Sequence, residues 1–276
     1  MGYAFGLIGY PIKHSLSPWI HGKFMERTNT EGTYSIIEID TSRSFSQEMK
    51  KLKEKNLDGF NVTVPYKETI MEYLDVIDQQ AEQIGAVNTV LSQNGKWIGY
   101  NTDGIGYVRS LWGKYEETEK NKANKILILG AGGAAKGIYH ALRHSGYSDI
   151  RIANRSIEKA EHLLGESSES AMTLEEAEHG LSQFDIIIQT TSVGMKPNEA
   201  DVIIDLANLK AGAIVSDIVY QPLFTAFLKQ AKSLHSSIHF GHTMLLYQAQ
   251  YAFEIWTGKR PPMEKLDKEL QQILEG

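Results

Sequence analysis

Apolar positions fall into short continuous runs separated by amphipathic stretches, an alternation that predicts buried strands joined by helices. In the first hundred residues the runs 3–9, 33–39 and 58–64 predict three strands. Between them, 17–28 and 44–55 carry helical spacing. Ser17-Pro18 reads as an N-cap serine followed by a proline at the first helical position. Pro65 ends the third strand and is expected to open a helix to about residue 75. A shorter helix over 79–84 stops at Gly85, and 89–91 with 97–100 flank Asn94-Gly95, a hairpin signal.

The second half keeps the rhythm. A helix is expected from Asp103 to about residue 115, and the polar stretch 116–124 leads to a new apolar run at 126–129. Glycines, a helical pattern over 136–144 and a strand over 149–153 follow. The runs 184–189 and 213–217 read as further buried parallel strands, with 237–240 as an edge strand. The fold class is therefore α/β, with a doubly wound sheet in this half. A final helix over 243–257 sets Met244, Gln248, Tyr251 and Ile255 on one line, which puts an amide inside an apolar stripe. A buried amide needs a hydrogen-bond partner, and either a structural group or a ligand would satisfy it.

Within that half, Gly130-Ala131-Gly132-Gly133-Ala134-Ala135 fits G-x-G-x-x-G/A between a strand and a helix, the context that makes the pattern a credible dinucleotide site, with an ordinary Gly-rich βα loop as the plainer alternative. Gly130 allows the tight turn, and Gly132 lets the backbone approach a pyrophosphate at the helix N-terminus. The end of the next strand sorts NAD from NADP. An NAD site places Asp or Glu there, whereas this chain has Asn154, Arg155 and Ser156, with Lys159 one turn on. A guanidinium can grip a 2′-phosphate that a carboxylate would repel. NADP is the expected cofactor.

At 276 residues the chain is long enough for two domains. It holds no cysteine, which excludes disulfides, thiolate catalysis and Cys-ligated metals and suits a reducing cytoplasm. The net charge of −6 is spread along the chain, without the basic patch that nucleic acid requires. Neither a secretory leader nor a run long enough to span a bilayer is apparent. A small molecule is the expected partner.

Four polar clusters precede the glycine turn at strand ends or helix starts, where open α/β sheets place ligand-binding groups. They are Ser15-Leu16-Ser17-Pro18, Asn61-Val62-Thr63-Val64-Pro65-Tyr66-Lys67, Gly85-Ala86-Val87-Asn88-Thr89 and Asn101-Thr102-Asp103-Gly104. Their hydroxyls and amides suit a substrate rich in hydroxyl groups. Lys67 is expected in the first turn of the helix after Pro65, where the macrodipole disfavours a cation and readies the amine for proton transfer. A surface lysine is the plainer alternative, as an N-cap is for Asp103.

With Gly130 to Ala134 and Asp217-Ile218-Val219-Tyr220, these clusters make six short motifs in order, and over essentially its whole length the chain resembles the shikimate dehydrogenase family. The resemblance implies NADPH-dependent reduction of 3-dehydroshikimate to shikimate, without a metal, on the route to aromatic amino acids. It makes Lys67 the catalytic acid/base and Asp103 its partner. Ser15, Ser17, Asn61, Thr63, Asn88, Tyr220 and Gln248 would bind substrate. Gly130, Ala131, Gly132, Gly133 and Ala134 would hold the pyrophosphate, and Asn154, Arg155, Ser156 and Lys159 the adenosine phosphate. Ile218 and Gly241 would approach the nicotinamide. It further implies a substrate domain of 1–102 plus 242–276, an NADP-binding Rossmann-type domain of 103–241, and a cytoplasmic monomer or homodimer.

The chain departs from the family pattern at His239-Phe240-Gly241-His242-Thr243-Met244, where many members have Asp-Gly, and at Gln79, where some carry an acid. A quinate/shikimate dehydrogenase with relaxed substrate or cofactor choice is the runner-up. A catalytically silent NADP or metabolite sensor is the alternative from another class, and retention of Lys67 and Asp103 argues against it.

Overall fold

The apolar runs of the first hundred residues form the strands of one sheet in the computed structural model, which describes residues 2–166 and 171–275. In chain order they are β1 (Tyr3–Gly9), α1 (Ser17–Arg27), β2 (Gly32–Glu38), α2 (Phe45–Glu54), β3 (Gly59–Val62), β4 (Val76–Ile77), α3 (Gln79–Ile84), β5 (Thr89–Gln93) and β6 (Lys96–Tyr100). The strand order is β2-β1-β3-β5-β6-β4. The first three strands are parallel, and β3, β5 and β6 then pair antiparallel. Asn94 and Gly95 close the β5–β6 hairpin with φ of 53° and 75°, the left-handed conformation that a two-residue hairpin turn demands.

The rest of the chain comprises α4 (Asp103–Lys114), α5 (Glu116–Lys120), β7 (Ile126–Leu129), α6 (Gly133–His144), β8 (Ile150–Ala153), α7 (Ile157–Leu164), β9 (Ala171–Met172), α8 (Leu174–His179), β10 (Ile186–Gln189), β11 (Ile214–Asp217), α9 (Ala226–Ser233), β12 (Ser237–Phe240), α10 (Gly241–Thr257) and α11 (Leu266–Glu275). Its strands make a second, parallel sheet in the order β12-β11-β10-β7-β8-β9. This is the doubly wound dinucleotide-binding order, with its reversal between β7 and β10. Leu127, Leu129, Ile187 and Val215 are fully buried, as strands covered on both faces require.

The chain divides into two compact units, Met1–Gly106 with Gln248–Met263 and Tyr107–Tyr247 with Glu264–Gly276. Of the three changes of unit, the first two fall inside helices, α4 and α10, the third falls between α10 and α11, and none lies at the polar stretch 116–124, which holds α5. The division also differs from the expected 242–276 at the end of the chain. Helix α11 belongs to the second unit, where Asp267 faces His242 and Lys114. The end of α10 is built into the first unit: Phe253 is fully buried, and Trp256 Nε1 donates to the carbonyl of Val90 at 2.9 Å. Burial of such aromatic side chains stabilises by roughly 1.5–3 kcal/mol each. No helix among the described residues is long and apolar enough to cross a membrane.

Candidate active site

Lys67 does not lie in the first turn of a helix. The segment after Pro65 makes turns, and a 3-10 helix begins only at Thr69. Tyr66 decides this: its ring stacks on Phe45, its hydroxyl donates to the carbonyl of Ile39 at 2.8 Å, and its N–H turns back to the carbonyl of Thr63. The carbonyl of Lys67 then accepts the N–H of Val87, so the backbone here is tied to the loop before β5 and not into a helical ladder. The dipole argument for Lys67 therefore has no helix behind it. What faces the amine is a carboxylate, Asp103 Oδ2, at 2.6 Å. Both side chains are half-buried.

Asp103 stands at the first residue of α4, yet its carboxylate is not a helix cap. One oxygen accepts from Lys67 and the other from Asn88 Nδ2 at 2.9 Å, while its own N–H is satisfied by Asn101 Oδ1. Asn88 is buried and saturated. Its amino group donates to Thr102 Oγ1 as well as to Asp103, and its Oδ1 accepts the N–H of Thr102 and the hydroxyl of Thr89. Such a web fixes the carboxylate, and through it the ammonium, with little freedom in either.

Gln248 reaches the same web, with Oε1 3.4 Å from the donor Thr102 Oγ1. The expected apolar stripe through Gln248 is out of phase. The fully buried line of α10 is Leu246, Ala249 and Phe253, with Trp256 nearly so, and Gln248 sits on a half-buried flank. The helix is apolar on most sides, so spacing alone does not choose the buried line.

At the other end of the site, Ser15 Oγ donates to Ser17 Oγ at 3.1 Å and accepts the N–H of Ser17. Ser17 is the first residue of α1 and not its cap, because Ser15 supplies the hydrogen bond instead. Tyr34 on β2 extends the network from Asn61: its hydroxyl donates to Asn61 Oδ1 at 2.7 Å. Burial holds that phenol well above its usual range, so it stays a donor. Asn61, on β3, donates to the carbonyl of Asn88 and to Thr89 Oγ1. A continuous chain of hydrogen bonds thus runs from Tyr34 through Asn61, Thr89, Asn88 and Asp103 to Lys67, with Thr63 on the loop that follows Asn61. The sequence assigns no part in it to Tyr34, Thr89 or Thr102. A strand's alternation tells only which way Tyr34 faces, not what its hydroxyl meets.

The second unit carries the nucleotide features. Gly130 ends β7 with φ of 113°, and a Cβ there would lie 2.6 Å from Thr190 Oγ1. Around the Cβ positions of Gly132 and Gly133 there is open space, and α6 starts at Gly133 with no side-chain cap, leaving its first N–H groups directed outward. Ala131 and Ala134 complete the turn. After β8, Asn154 Nδ2 donates to the carbonyl of Ser156, and Arg155 and Lys159 are exposed. Ser156 Oγ donates to Glu158 Oε2 at 2.7 Å, so a carboxylate from the first turn of α7 reaches the loop after all, four residues later than an NAD enzyme's. Ile218, Tyr220 and Gly241 belong to this unit; Tyr220 is exposed, and Gly241 lies against the carbonyls of Ile218 and Val219. These groups fit a pyrophosphate on α6 and a phosphorylated ribose beside Arg155.

The three family models that match follow the chain in order. The shikimate dehydrogenase substrate binding domain covers residues 7–90, shikimate / quinate 5-dehydrogenase 114–211, and the shikimate 5′-dehydrogenase C-terminal domain 241–271. A curated relative from Oceanobacillus iheyensis, shikimate dehydrogenase (NADP(+)), is 54% identical over 271 residues, 98% of each chain. The chain belongs to the shikimate dehydrogenase family. Solved members of the family share its fold. Shikimate 5-dehydrogenase from Thermus thermophilus, in complex with NADP(H) and shikimate, superposes with a TM-score of 0.85 at 30% identity, covering 98% of this chain and 99% of that one. The enzyme from Listeria monocytogenes, in complex with shikimate and NAD, gives 0.86 at 33% identity, with 98% and 96% covered.

Proposed function

We propose that the chain interconverts 3-dehydroshikimate and shikimate with NADP, using Lys67 as the acid/base and Asp103 as its partner. The enzyme is an NADP-dependent oxidoreductase of the shikimate dehydrogenase family. The observation that carries the residue assignment is the 2.6 Å contact between Lys67 Nζ and Asp103 Oδ2, held from behind by Asn88.

Bound NADPH supplies the hydride to the carbonyl carbon. As the carbonyl oxygen gains charge, the Lys67 ammonium stabilises it and transfers one proton, giving the alcohol and leaving a neutral amine that solvent reprotonates. General acid catalysis of this kind contributes typically about 10²–10⁴-fold. Asp103 keeps Nζ aimed and accepts a hydrogen bond from the neighbouring substrate hydroxyl. Ser15, Ser17, Thr63 and Gln248 bind the substrate's carboxylate and hydroxyls, and Tyr220 is a further substrate ligand. Asn61 and Asn88, whose amide protons are already engaged, act chiefly by holding these groups in place. In the reverse direction Lys67 is the base. On the second unit, residues 130–134 would hold the pyrophosphate, and Asn154, Arg155, Ser156 and Lys159 the adenosine phosphate. Ile218 and Gly241 would lie toward the nicotinamide.

The test is oxidation of NADPH, followed at 340 nm, with 3-dehydroshikimate and separately with 3-dehydroquinate. Turnover of the first supports the proposal. Preference for the second would make the chain a quinate-directed member, and no turnover of either by folded protein would make it a sensor.

A further inference from the structure

The loops that follow β10 and β11 stand at the carboxyl ends of neighbouring parallel strands, beside the reversal of strand order where such sheets bind their ligands. One buried pair of side chains, Gln189 and Asp217, joins them. Gln189 Nε2 donates to Asp217 Oδ1 at 3.2 Å and to the carbonyl of Val193 at 3.1 Å, and its Oε1 accepts the N–H of Thr191. The amide can face only one way, with its oxygen towards the N–H and its amino group towards the two acceptors. Asp217 Oδ1 also accepts the N–H of Val219 at 2.9 Å, and Oδ2 accepts the hydroxyl of Thr225, the N-cap of α9, at 2.7 Å. Gln189 thus holds 190–194, and Asp217 holds 218–220 together with the start of α9.

Close backbone approaches extend the line at both ends. A Cβ on Gly130 would lie 2.6 Å from Thr190 Oγ1 and 2.7 Å from Thr191 Cγ2, and one on Gly241 would lie 2.7 Å from the carbonyl oxygen of Val219. The glycine turn, the two loops and the first residue of α10 therefore touch in sequence, with the Gln189–Asp217 pair at the middle.

We propose that Gln189 and Asp217 are positioning residues that lock the loops 190–194 and 218–220 into one rigid wall of the nicotinamide-nucleotide site. Neither touches the cofactor. The proposal rests on the reading of this unit as NADP-binding, since a wall matters only if something lies against it. Misplacement of such a wall by about 1 Å is enough to lower activity by up to about 10²-fold.

Amide hydrogen exchange on the protein without ligand tests the lock directly. The N–H groups of Thr191 and Val219, although in loops, should exchange slowly. Gln189→Ala should speed exchange at Thr191, and Asp217→Ala at Val219, by about tenfold or more. Asp217→Asn keeps an oxygen for Val219 and Gln189 and an amino group that can donate to Thr225, so exchange at Val219 should stay within about threefold of wild type. Kinetics should follow the same split. The alanine variants should lose about tenfold in kcat/KM for NADPH, mostly through KM, and Asp217→Asn should recover most of it. If Asp217→Ala does not fold, Gln189→Asn carries the test, because it keeps an amide but is one methylene too short to span both loops. Fast exchange at both amides in wild type, or alanine variants with wild-type exchange and KM, would overturn the proposal. Wild-type protein that does not oxidise NADPH would instead overturn the functional reading, leaving exchange to decide whether the loops are locked.

Discussion

Gly106 on α4 and Gln248 on α10 pack backbone to backbone: a Cβ on Gly106 would lie 2.5 Å from the backbone nitrogen of Gln248 and 2.6 Å from its Cα. Only glycine leaves room for this approach, and the approach brings the Gln248 amide to Thr102 and the web around Asp103. Gly106→Ala forces the two helices apart. Overpacking of this kind costs about 1–3 kcal/mol, so the melting temperature should fall by several degrees. Because Gln248 moves with α10, KM for shikimate should rise several-fold while KM for NADP changes little. Unchanged KM for shikimate in a destabilised variant would remove Gln248 from the substrate site.

Lys67→Ala should lower kcat by about 10²-fold or more with a much smaller change in substrate affinity, because the proton donor matters most as the oxyanion forms. Asp103→Asn keeps the shape but gives up the charge that aims Nζ and leaves its amino group facing the ammonium, so it should also lower kcat, though less. Steady-state kinetics with both substrates decide it. A rise in KM alone, with kcat within a few-fold of wild type, would make Lys67 a binding group.

Where local chemistry sets the conformation, the sequence is readable. Asn94-Gly95 accepts the left-handed turn that few other pairs tolerate, and Gly85 closes α3 with φ of 72° for the same reason. The alternating runs likewise place both sheets. The segment around Lys67 is not readable, because Pro65 opens a turn as readily as a helix, and the deciding contacts come from Phe45 and Ile39, far back in the chain. The role of Tyr34 is hidden similarly: its partner Asn61 lies two strands away across the sheet. The six motifs name most of the candidate site, but the hydrogen bonds that turn Asn88 into a support for Asp103 exist only once β5 and α4 are brought together.

Burial pushes the Asp217 carboxyl from its ordinary value of 3.8 up to about 6, against the pull of its bonds from Val219, Thr225 and Gln189. The sign follows from linkage. Between about pH 4 and 6 the unfolded chain has already released this proton while the folded chain keeps it, so stability falls as pH rises through the window. The difference corresponds to about 3 kcal/mol at most. Asp217→Asn removes the titration. The stability of wild type relative to Asp217→Asn, from urea unfolding at pH 4 and at pH 7.5, should therefore be lower at the higher pH. A gap that stays constant between the two would mean that the carboxyl titrates alike in both states.

Under the proposed function, the loop after β8 is the place where cofactor choice is decided. Arg155 is exposed there, and Ser156 gives its hydroxyl to Glu158, whose carboxyl is held below its usual range by that bond. Arg155→Ala should weaken NADPH specifically. A charge-assisted bond is worth about 10- to 150-fold in affinity when well formed, and exposure pulls the expectation to about tenfold. KM for NADH should stay nearly unchanged. Glu158 acts in the other direction, because it occupies a hydroxyl that could donate to the 2′-phosphate and sets a like charge close by. Glu158→Gln should therefore lower KM for NADPH by a few-fold and leave NADH unaffected, widening the preference. Asn154→Asp should narrow it, by adding repulsion against the phosphate and an acceptor for the free 2′-hydroxyl. Kinetics of the three variants with both cofactors separate these effects. Equal losses for NADPH and NADH in Arg155→Ala would show that the arginine supports the loop and not the phosphate, and an unmoved NADPH KM in Glu158→Gln would show that Ser156 is no ligand.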